Sequence, residues 1–384
     1  MEIRTLCKDD YDALLSLLNQ SFATVRNRPV DFLRGQPKMW VRDDAHMEKH
    51  LGLFEDGKLV AVVGIYPLDL RVGDATLRFA TTGNVATHPE YAGRGYFSKL
   101  FSLAMEKAEK DGYDALRLGG QKQRYGRYGF EDCGNLYSVL FSEKNRLAFS
   151  EKEYGDIALA PLERDSLSDL RYARKLNEKS PCYVERDPSE NERDTYLVLH
   201  TKYSKAYIAK KNGIPCGYLS ATEDGSVTEL RAEDADTFFA IACAWQKEIG
   251  KSFTLPIAPW MKKELAIAAR MTESVTTLAP TKMKLLHPER VLDAFMKLKY
   301  SLSPMEEGEL LLGIEGHGTY RLAVENGRAL CEQAKDGAPQ LTLSAQAAAQ
   351  MAFGPLPASI FAELPPHALT WFPLPFSWNF LDVV

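Results

Sequence analysis

Two glycines and an arginine stand where an extended run gives way to an amphipathic helix, in the stretch VATHPEYAGRGYFSKLF from Val85 to Phe101. A glycine turn that opens a helix leaves several backbone N–H groups unpaired and pointing the same way, and the helix dipole adds positive potential there. Gly93 and Gly95 allow close approach of an anion, because neither carries a Cβ. The pattern favours a phosphate site, with an ordinary glycine-containing loop as the alternative.

The donors of this site would be the N–H groups from Arg94 through Ser98, and the Arg94 side chain could pair with a phosphate. The turn differs from the dinucleotide fingerprint, which needs a tight βαβ unit with an acidic residue about twenty positions on. It also lacks the Lys-Ser or Lys-Thr that ends a Walker loop. Neither of these two nucleotide sites is therefore predicted.

The composition is that of a soluble globular protein with more than one domain. The chain has 384 residues, 45% of them hydrophobic and 26% charged, so two or three domains are expected. A net charge of −5 gives no basic field for nucleic acid or an anionic membrane. We find neither an apolar signal core nor a run as long as a membrane span, so the cytoplasm is the expected location. The six cysteines show no CxxC pairing, so neither a metal site nor a disulfide framework is predicted.

Spacing and turn residues predict a mixed α/β domain of roughly 140 residues at the start of the chain. EIRTL has the alternation of a short strand, an amphipathic helix begins near Tyr11, and Asp56-Gly57 marks the turn of a hairpin. From Tyr96, apolar residues recur at helical spacing until Gly112 stops the helix, and YDALRLGG is a short strand. The glycine turn is thus placed between a strand and a helix.

The middle third repeats part of this plan. AYIAKKNGIPCGYLSATEDGSVTELRAED has the same strand, Asn-Gly turn, strand, turn, strand rhythm, and a helix and a strand follow it. The segment LRAEDADT stands where the first part has its glycine turn. We interpret this part as a second copy of the fold without a ligand site, with an unrelated α/β domain as the alternative.

The last part, from about His287, has a third pattern: a helix, a strand meander with Gly and Asn-Gly turns, and a small-residue helix. This pattern predicts a third unit of the α+β type. The chain closes with LTWFPLPFSWNFLDVV, which is apolar and aromatic, whereas free termini are normally polar and frayed. We therefore expect the tail to dock into the body of the protein.

The glycine turn resembles the signature of the GNAT superfamily of acetyl-CoA-dependent N-acetyltransferases: Arg or Gln, two residues, Gly, one residue, then Gly or Ala. Ala92, Gly95 and Phe97 occupy those positions, so only the central glycine is retained strictly. RYGRYGFEDCG matches the tyrosine-glycine-arginine-aromatic-glycine-aromatic motif of one branch, the enhanced-intracellular-survival acetyltransferases. The sequence is similar to that branch in all three of its parts. The most distinctive motifs lie within Val85–Gly134.

The resemblance implies an α/β fold of the mixed α+β type in three domains. These are a catalytic GNAT domain over residues 1–143, a degenerate GNAT-like domain over 144–284, and a sterol-carrier-protein-like domain over 285–384, whose tail docks towards the active site. Relatives assemble as rings, so a homo-oligomer, trimer or hexamer, is implied as well.

Acetyl-CoA is the co-substrate that the resemblance implies. Tyr125, the first tyrosine of the motif, would be the general acid, and the C-terminal carboxylate of Val384 would be the general base. The cofactor residues carried over are strand-edge positions for the pantetheine arm and turn positions for the pyrophosphate: Val85, Ala86, Thr87, Gly93, Arg94, Gly95, Tyr96, Phe97 and Ser98.

These roles agree with the chemistry of acetyl transfer. A primary amine has a pKa near about 10, so a base or a water chain must remove its proton at neutral pH, and a phenol near the sulfur can supply the other proton. Asp382 and a water chain are the alternatives to Val384 as base. Tyr125 and Tyr128 could instead be core aromatics. His88 is a candidate assistant, although a lone histidine is more often structural.

The acceptor is expected to be a primary amine, on a small molecule or on a protein. The loop expected at its entrance carries Arg26, Arg28, Arg34 and Lys38, which disfavours a polycationic acceptor. Trp40 either packs on the surface or lines that entrance. The alternative function is a lipid or small-ligand carrier, or a protein that senses acetyl-CoA without turnover.

Overall fold

A computed structural model describes residues 1–35, 38–150, 157–201 and 203–382. Over these residues the strands form four sheets, and helices cover the sheet faces. The architecture is mixed α/β, as the sequence predicts. None of the helices in the described ranges combines the length and apolarity that a membrane span needs.

The first sheet has eight strands, numbered in chain order: β1 (Glu2–Thr5), β2 (His50–Glu55), β3 (Lys58–Val72), β4 (Ala75–Thr87), β5 (Ala115–Leu118), β6 (Glu131–Cys133), β9 (Cys182–Val184) and β15 (Thr281–Leu285). Their order is β1–β2–β3–β4–β5–β15–β6, and β9 pairs with the last residues of β3. Among the described strands of this sheet, only β4 and β5 are parallel neighbours. The Asp56-Gly57 turn between β2 and β3 has φ angles of 50° and 77°, and it confirms the predicted hairpin.

The described residues of this first part form five α-helices: α1 (Tyr11–Arg26), α2 (Phe32–Gly35), α3 (Asp44–Met47), α4 (Tyr96–Lys110) and α5 (Lys122–Tyr125). Leu14 and Leu18 of α1 share a buried cluster with Val62 of β3. Leu100 of α4 shares a different cluster with Val63. Because neighbouring strand residues point to opposite faces, α1 and α4 cover opposite faces of the sheet.

The second part contributes two smaller sheets. Its strands are β7 (Leu136–Phe141), β8 (Ile157–Pro161), β10 (Ser204–Lys211), β11 (Ile214–Thr222), β12 (Val227–Ala232), β13 (Phe253–Ile257) and β14 (Val275–Leu278). Its helices are α6 (Glu143–Ser150), α7 (Leu167–Glu178), α8 (Ser189–Leu199), α9 (Ala235–Ile249) and α10 (Lys262–Met271). The orders are β12–β11–β10–β8 and β13–β7–β14. The predicted rhythm of strands, helix and strand is confirmed by β10 to β13 and α9.

The third part has a four-stranded sheet between two helices in the sequence. Its elements are α11 (Pro288–Leu302), β16 (Gly308–Ile314), β17 (Gly318–Glu325), β18 (Arg328–Gln333), β19 (Leu341–Leu343) and α12 (Ala345–Phe353). The sheet order is β18–β17–β16–β19. The predicted succession of helix, meander and helix is confirmed.

The tail packs into the body of the protein. The ring centroid of Phe376 lies 5.5 Å from that of Phe295 in α11, and Trp378 stacks at 6.1 Å on Phe79 in β4. Both tail rings are buried. The expected docking of the tail is confirmed as far as Asp382, the last residue that the structure describes.

The first two parts of the chain exchange strands. β7 follows the first part directly but pairs with β13 and β14 of the second. β15 follows the second part but lies between β5 and β6 of the first sheet. Strand pairing therefore crosses the expected boundaries at 143/144 and 284/285, which remain predictions.

Candidate active site

Strands β4 and β5 pair in parallel for three residues and then separate. Phe79–Thr81 of β4 match Ala115–Arg117 of β5, whereas β4 continues to Thr87 and β5 ends at Leu118. In the described sheet, the edge of β4 beyond Thr81 has no strand partner on the β5 side. Such an edge can bind an extended ligand through strand-like hydrogen bonds.

A bulge interrupts β4 just before its end. Asn84 and Val85 lie opposite the single residue Val63 of β3. Asn84 has a φ of 51°, a left-handed conformation that asparagine tolerates better than most residues. A β-bulge changes the direction of the backbone and side chains that follow it. Here the following residues belong to the predicted pantetheine-binding segment.

The free edge of β4 presents the backbone of Val85 most openly. The N–H of His88 bonds to the Val60 carbonyl in β3, so the polar groups of Ala86 also face β3, and those of Val85 and Thr87 face the open side. The Thr87 carbonyl accepts a 3.0 Å hydrogen bond from the Ser21 hydroxyl. Val85 is thus the predicted residue best placed to bond a ligand along this edge.

The first turn of α4 has the features of an anion site. Gly93 and Gly95 have φ angles of 80° and 78°, and a Cβ built on either would meet no atom within 4 Å. Gly95 caps the helix without a side-chain bond. Among the described residues, no acceptor takes the N–H groups of Tyr96, Phe97 and Ser98. Together these groups offer open space and unpaired donors at a positive helix end.

Charged groups surround this turn. The Arg94 guanidinium lies 3.5 Å from the Glu55 carboxylate, and the Tyr96 hydroxyl donates to that carboxylate at 2.8 Å, which raises the pKa of Tyr96. Arg124 and Arg127 place their guanidinium carbons 5.7 and 5.9 Å from the ring centroid of Phe97. Sequence reasoning did not single out Arg124 or Arg127, although both belong to the motif RYGRYGF.

Tyr125 lies beside the same turn. Its side chain is 8% exposed, and its ring centroid is 6.3 Å from that of Phe97 and 5.4 Å from that of Phe101. A Cβ on Gly120 would lie 2.7 Å from the ring, so the ring packs directly on that backbone. Burial raises the pKa of Tyr125, although the positive charge of Arg124 acts to lower it. The phenol is therefore protonated at neutral pH and can donate a proton.

The tail reaches the point of strand separation from the other face of the sheet. Phe79 contacts Trp378, whereas its neighbour Ala80 packs in the cluster of α4. The guanidinium of Arg117 lies 5.0 Å from the Trp378 ring, and the Trp378 indole N–H donates to the Asp382 carbonyl at 2.8 Å. Burial lowers the pKa of Arg117 to about 10, although the negative charge of Asp382 acts to raise it.

A buried ion cluster fixes the end of the tail to the second part. Arg186 donates to Glu229 at 2.8 and 3.2 Å and to Asp382 at 3.3 Å, and the Tyr218 hydroxyl also donates to Glu229. Although burial opposes ionisation, Arg186 and Arg231 hold the pKa of Glu229 below its usual value. Burial raises the pKa of Asp382, with Arg186 opposing it. Sequence reasoning missed this cluster because its members lie far apart in the chain.

A buried polar chain lies under α1. The Asn84 amide donates to the Tyr66 hydroxyl at 2.7 Å, and that hydroxyl lies 2.7 Å from His50 Nε2. Trp40 stacks on His50 at 6.2 Å and is 8% exposed, so it does not pack on the surface. Its indole N–H is buried with no partner among the described residues. The loop sequence around Trp40 is polar and gave no signal of this burial.

A cavity of about 530 Å³ opens beside this polar chain, along the edge of β3. Tyr66–Asp69 form its floor, because β2 pairs with β3 only before this stretch and β9 pairs only after it. In the part of the chain that the structure describes, Lys49, Asp69 and Asp187 line it without an ion pair, and burial lowers the pKa of Lys49. The Lys38 ammonium is bound to Asp194 at 2.5 Å.

The candidate His88 and the acidic pair of Glu131 and Asp132 in β6 all have structural partners. His88 accepts the Glu90 N–H at 3.3 Å and caps a short turn. Glu131 and Asp132 are bound by Lys122, and Asp132 is also bound by Lys282 at 2.8 Å. The predicted base Val384 lies outside the described residues. The structure thus brings together the turn positions, the β4 edge and Tyr125.

The first third of the chain matches a known domain family. The family model of the Acetyltransferase (GNAT) domain matches residues 2–133. This segment is GNAT-like. It contains the parted strands, the first turn of α4 and Tyr125. No protein with a curated function matches the chain significantly.

Solved structures resemble the chain over nearly its whole length. A GCN5-related N-acetyltransferase from Kribbella flavida is 18% identical, with a TM-score of 0.66 over 96% of this chain and 94% of that one. A probable N-acyltransferase from Enterococcus faecalis V583 is 16% identical, with a TM-score of 0.65 over 97% and 96%. Eis1 from Mycobacterium abscessus is 14% identical, with a TM-score of 0.65 over 99% and 98%. At these identities the likeness establishes the fold.

Proposed function

We propose that the protein transfers an acetyl group from acetyl-CoA to a primary amine. One observation carries this proposal: the separated strands β4 and β5, the unpaired N–H groups at the first turn of α4 and the protonated phenol of Tyr125 adjoin one another. The match of residues 2–133 to the Acetyltransferase (GNAT) domain supports it. The name of the structurally similar protein from Kribbella flavida, a GCN5-related N-acetyltransferase, agrees with it.

Acetyl-CoA fits the residues at this site and would supply the thioester that makes the acetyl group transferable. The N–H groups from Arg94 through Ser98 would hold its pyrophosphate, for which Gly93 and Gly95 leave space. Arg94 would exchange its contact with Glu55 for a phosphate. The backbone of Val85, on the free edge of β4, would bond the pantetheine arm.

The two proton transfers are assigned to opposite faces of the sheet. As the amine nitrogen forms its bond to the acetyl carbon and the carbon–sulfur bond breaks, Tyr125 gives its phenolic proton to the departing thiolate. The C-terminal carboxylate of Val384 takes the proton of the amine. Val384 follows Asp382 by two residues in the sequence, and the Trp378 indole holds Asp382. Asp382 itself is the alternative base.

We propose the cavity beside β3 as the entrance for the amine. Its floor residue Tyr66 bonds to Asn84 at the β4 bulge, so the cavity adjoins the strand that would bind the thioester. Asp69 and Asp187 would attract an ammonium group, whereas Lys49 would repel an acceptor that carries several. A primary amine with one positive charge is the acceptor that this lining favours.

The first test is a calorimetric titration of acetyl-CoA into the wild type and into Gly95→Trp. We expect a Kd in the micromolar range for the wild type and loss of binding in the variant, because the indole would fill the anion site. Gly213→Trp is the matched control, since Gly213 has nearly the same φ and the same open surroundings at the turn between β10 and β11 in the second part. No heat from the wild type at about 1 mM acetyl-CoA would contradict the proposal.

The second test is thiol release with a panel of amines. Acetyl transfer frees one CoA thiol for each amide formed, which a thiol reagent detects. Binding of acetyl-CoA without thiol release from any amine would support the sensing function instead. A stoichiometric apolar ligand in a lipid extract of the purified protein would support carriage.

Three further expectations remain proposals that follow from the resemblance. They are the three-domain division, the sterol-carrier-protein-like nature of the last part, and a trimeric or hexameric homo-oligomer. Light scattering after size exclusion would give the oligomer mass directly.

A further inference from the structure

A second cavity, of about 270 Å³, lies where the tail and the loop after α12 meet the second part of the chain. Its walls come from the start of β7, from Thr277 in β14, from residues 355–359 after α12, and from the tail around Phe372. It contains none of the residues assigned to acetyl-CoA, and it shares no described lining residue with the cavity beside β3. The proposed function therefore leaves it without a role.

The wall of this cavity is uncharged. None of its described lining residues is an acid, a base or a histidine, and its polar side chains are the neutral ones of Asn135, Tyr137, Thr277 and Ser359. A charged ligand would lose hydration there and would find no counter-ion, which is unfavourable. The wall thus selects a neutral ligand.

The rest of the wall is apolar. Pro355, Pro357 and Phe372 line the cavity. Leu356 and Leu369 also line it and are 49% and 50% exposed, so two large apolar side chains contact water there. An engineered apolar cavity of about 150 Å³ binds benzene, so about 270 Å³ is enough for one ring with a short polar substituent. A ligand with an apolar body would cover part of this surface.

One buried amide in the wall has no partner. Asn135 is only 4% exposed, and among the residues that the structure describes its side-chain amide makes no hydrogen bond. Its backbone N–H, by contrast, donates to the Phe376 carbonyl at 2.7 Å, which holds the residue against the tail. A buried amide without a partner is unfavourable, because it has lost its water and gained nothing in return.

The register of β7 places this amide on the cavity side. Tyr137 follows Asn135 by two residues and pairs with Thr277 of β14. Residues at this spacing point to the same face of a strand, and register partners share a face as well. All three residues line the cavity. The unpaired amide is therefore available to a ligand inside it.

We propose that this cavity binds a small neutral carboxamide, with its amide paired to Asn135 and its apolar body against Phe372 and the prolines. An asparagine side chain offers an N–H donor beside a carbonyl acceptor, and a primary carboxamide or a lactam presents the complementary pair on one edge. Such a ligand would contact the second part and the tail together, so its binding would stabilise the docked tail. The site does not depend on the proposed acetyl transfer.

The test compares benzamide with acetophenone and benzoate. Acetophenone has nearly the shape of benzamide but carries a methyl group in place of the amide nitrogen, and benzoate carries a charge. Each is titrated calorimetrically into the full-length protein without acetyl-CoA. We expect one site for benzamide with a Kd at least about fivefold below that of acetophenone, since one net hydrogen bond gives a factor of this size. Benzoate should bind at least about tenfold more weakly than benzamide, because the wall offers no counter-ion.

Asn135→Leu locates the site. The substitution removes both hydrogen-bonding groups and keeps a similar shape, so benzamide should lose at least about fivefold in affinity and its advantage over acetophenone should disappear. The Tm of this variant should not fall, because the amide that it removes has no partner among the described residues. Gln333→Leu, at an exposed position of β18, is the matched control and should change neither affinity.

Three results would each overturn the proposal. They are equal Kd values for benzamide and acetophenone in the wild type, no benzamide binding up to about 20 mM, and an unchanged preference for benzamide in Asn135→Leu. The wild-type comparison decides the question even if Asn135→Leu fails to fold.

Discussion

At the scale of single residues, the two tyrosines of RYGRYGF differ in ways that the sequence does not reveal. Tyr125 is nearly buried, and its pKa is raised by that burial. Tyr128 is half-buried, with its ring centroid 4.6 Å from that of Phe101. Both are therefore packed aromatics, and Tyr125 is the more deeply buried of the two phenols.

Tyr125→Phe should lower kcat for acetyl transfer by about 10²-fold, since general acid catalysis contributes a factor of that size. The Kd for acetyl-CoA should stay within about twofold, because the ring that packs on Gly120 is retained. Steady-state thiol release and calorimetry measure the two quantities.

Tyr128→Phe is the control for this pair, because it removes a hydroxyl from the same motif. We expect kcat within about threefold of the wild type. If both substitutions lower kcat equally, the hydroxyls act through packing or solvation, and Tyr125 is not the acid.

At the scale of elements, the chain of Asn84, Tyr66 and His50 ties β4 to β3 and to the start of β2. His50 Nδ1 donates to the Met47 carbonyl, and its Nε2 accepts from the Tyr66 hydroxyl, which needs the neutral ring. Burial lowers the pKa of His50 to about 4, although the hydrogen bond to the Met47 carbonyl acts to raise it. Protonation of His50 therefore removes the acceptor of the Tyr66 hydroxyl and breaks the hydrogen bond between β3 and the start of β2.

This connection predicts acid-dependent stability. Between pH 6.5 and pH 4 the unfolded chain binds a proton at His50 that the folded protein does not, so the free energy of unfolding falls as pH falls. From pH 7 to pH 5 the loss from this residue is about 2 kcal/mol. Urea unfolding at the two pH values should show this loss in the wild type.

His50→Gln should lack that part of the pH dependence, because glutamine does not titrate in this range. His46→Gln is the control, since His46 lies in α3, half-buried, and its ring bonds to Asp43 rather than to the strands. An equal pH dependence of the wild type and His50→Gln would contradict the assignment.

The elements were predictable from the sequence where their signals are local. Asp56-Gly57 fixes the β2–β3 turn, and Gly95 precedes α4 as its cap, because both depend on the backbone freedom of one or two residues. The burial of Trp40 was not predictable, since its loop is polar and the partner His50 gives no periodic signal. The bulge at Asn84 left no sequence signal either.

At the scale of the whole molecule, residues that are far apart in the sequence come together beside the candidate site. The spacing of residues along the sequence does not predict these contacts. Arg186 and Asp382 are separated by 196 residues and meet in a buried cluster. The strand exchange between the first two parts is equally non-local. By contrast, the apolar tail composition did predict docking, because burying that many aromatic side chains is favourable in any fold.

The cluster around Arg186 predicts a role for Asp382 in holding the tail. Asp382→Asn removes a charge-assisted bond worth about 1.5–3 kcal/mol and should loosen the chain end that we propose as the base. We expect kcat to fall about tenfold while the Kd for acetyl-CoA is unchanged, because the anion site lies on the other face of the sheet. Kinetics at saturating amine and calorimetry measure both.

Asp336→Asn, at an exposed loop of the third part, should leave both quantities unchanged. If Asp382→Asn keeps full kcat, neither its carboxylate nor a tightly held chain end is needed for the reaction.

The position of β15 bears on how the protein is made. The first sheet cannot join β5 to β6 until residues 281–285 have been synthesised, because β15 lies between them. After β5 has been synthesised, about two-thirds of the residues that follow it must be added before β15 is available. During that time one edge of the buried strand β5 has no strand partner. Strand edges with unpaired backbone N–H and C=O groups can pair with strands of other chains. The nascent chain can therefore mispair at this edge of β5 until residues 281–285 have been synthesised.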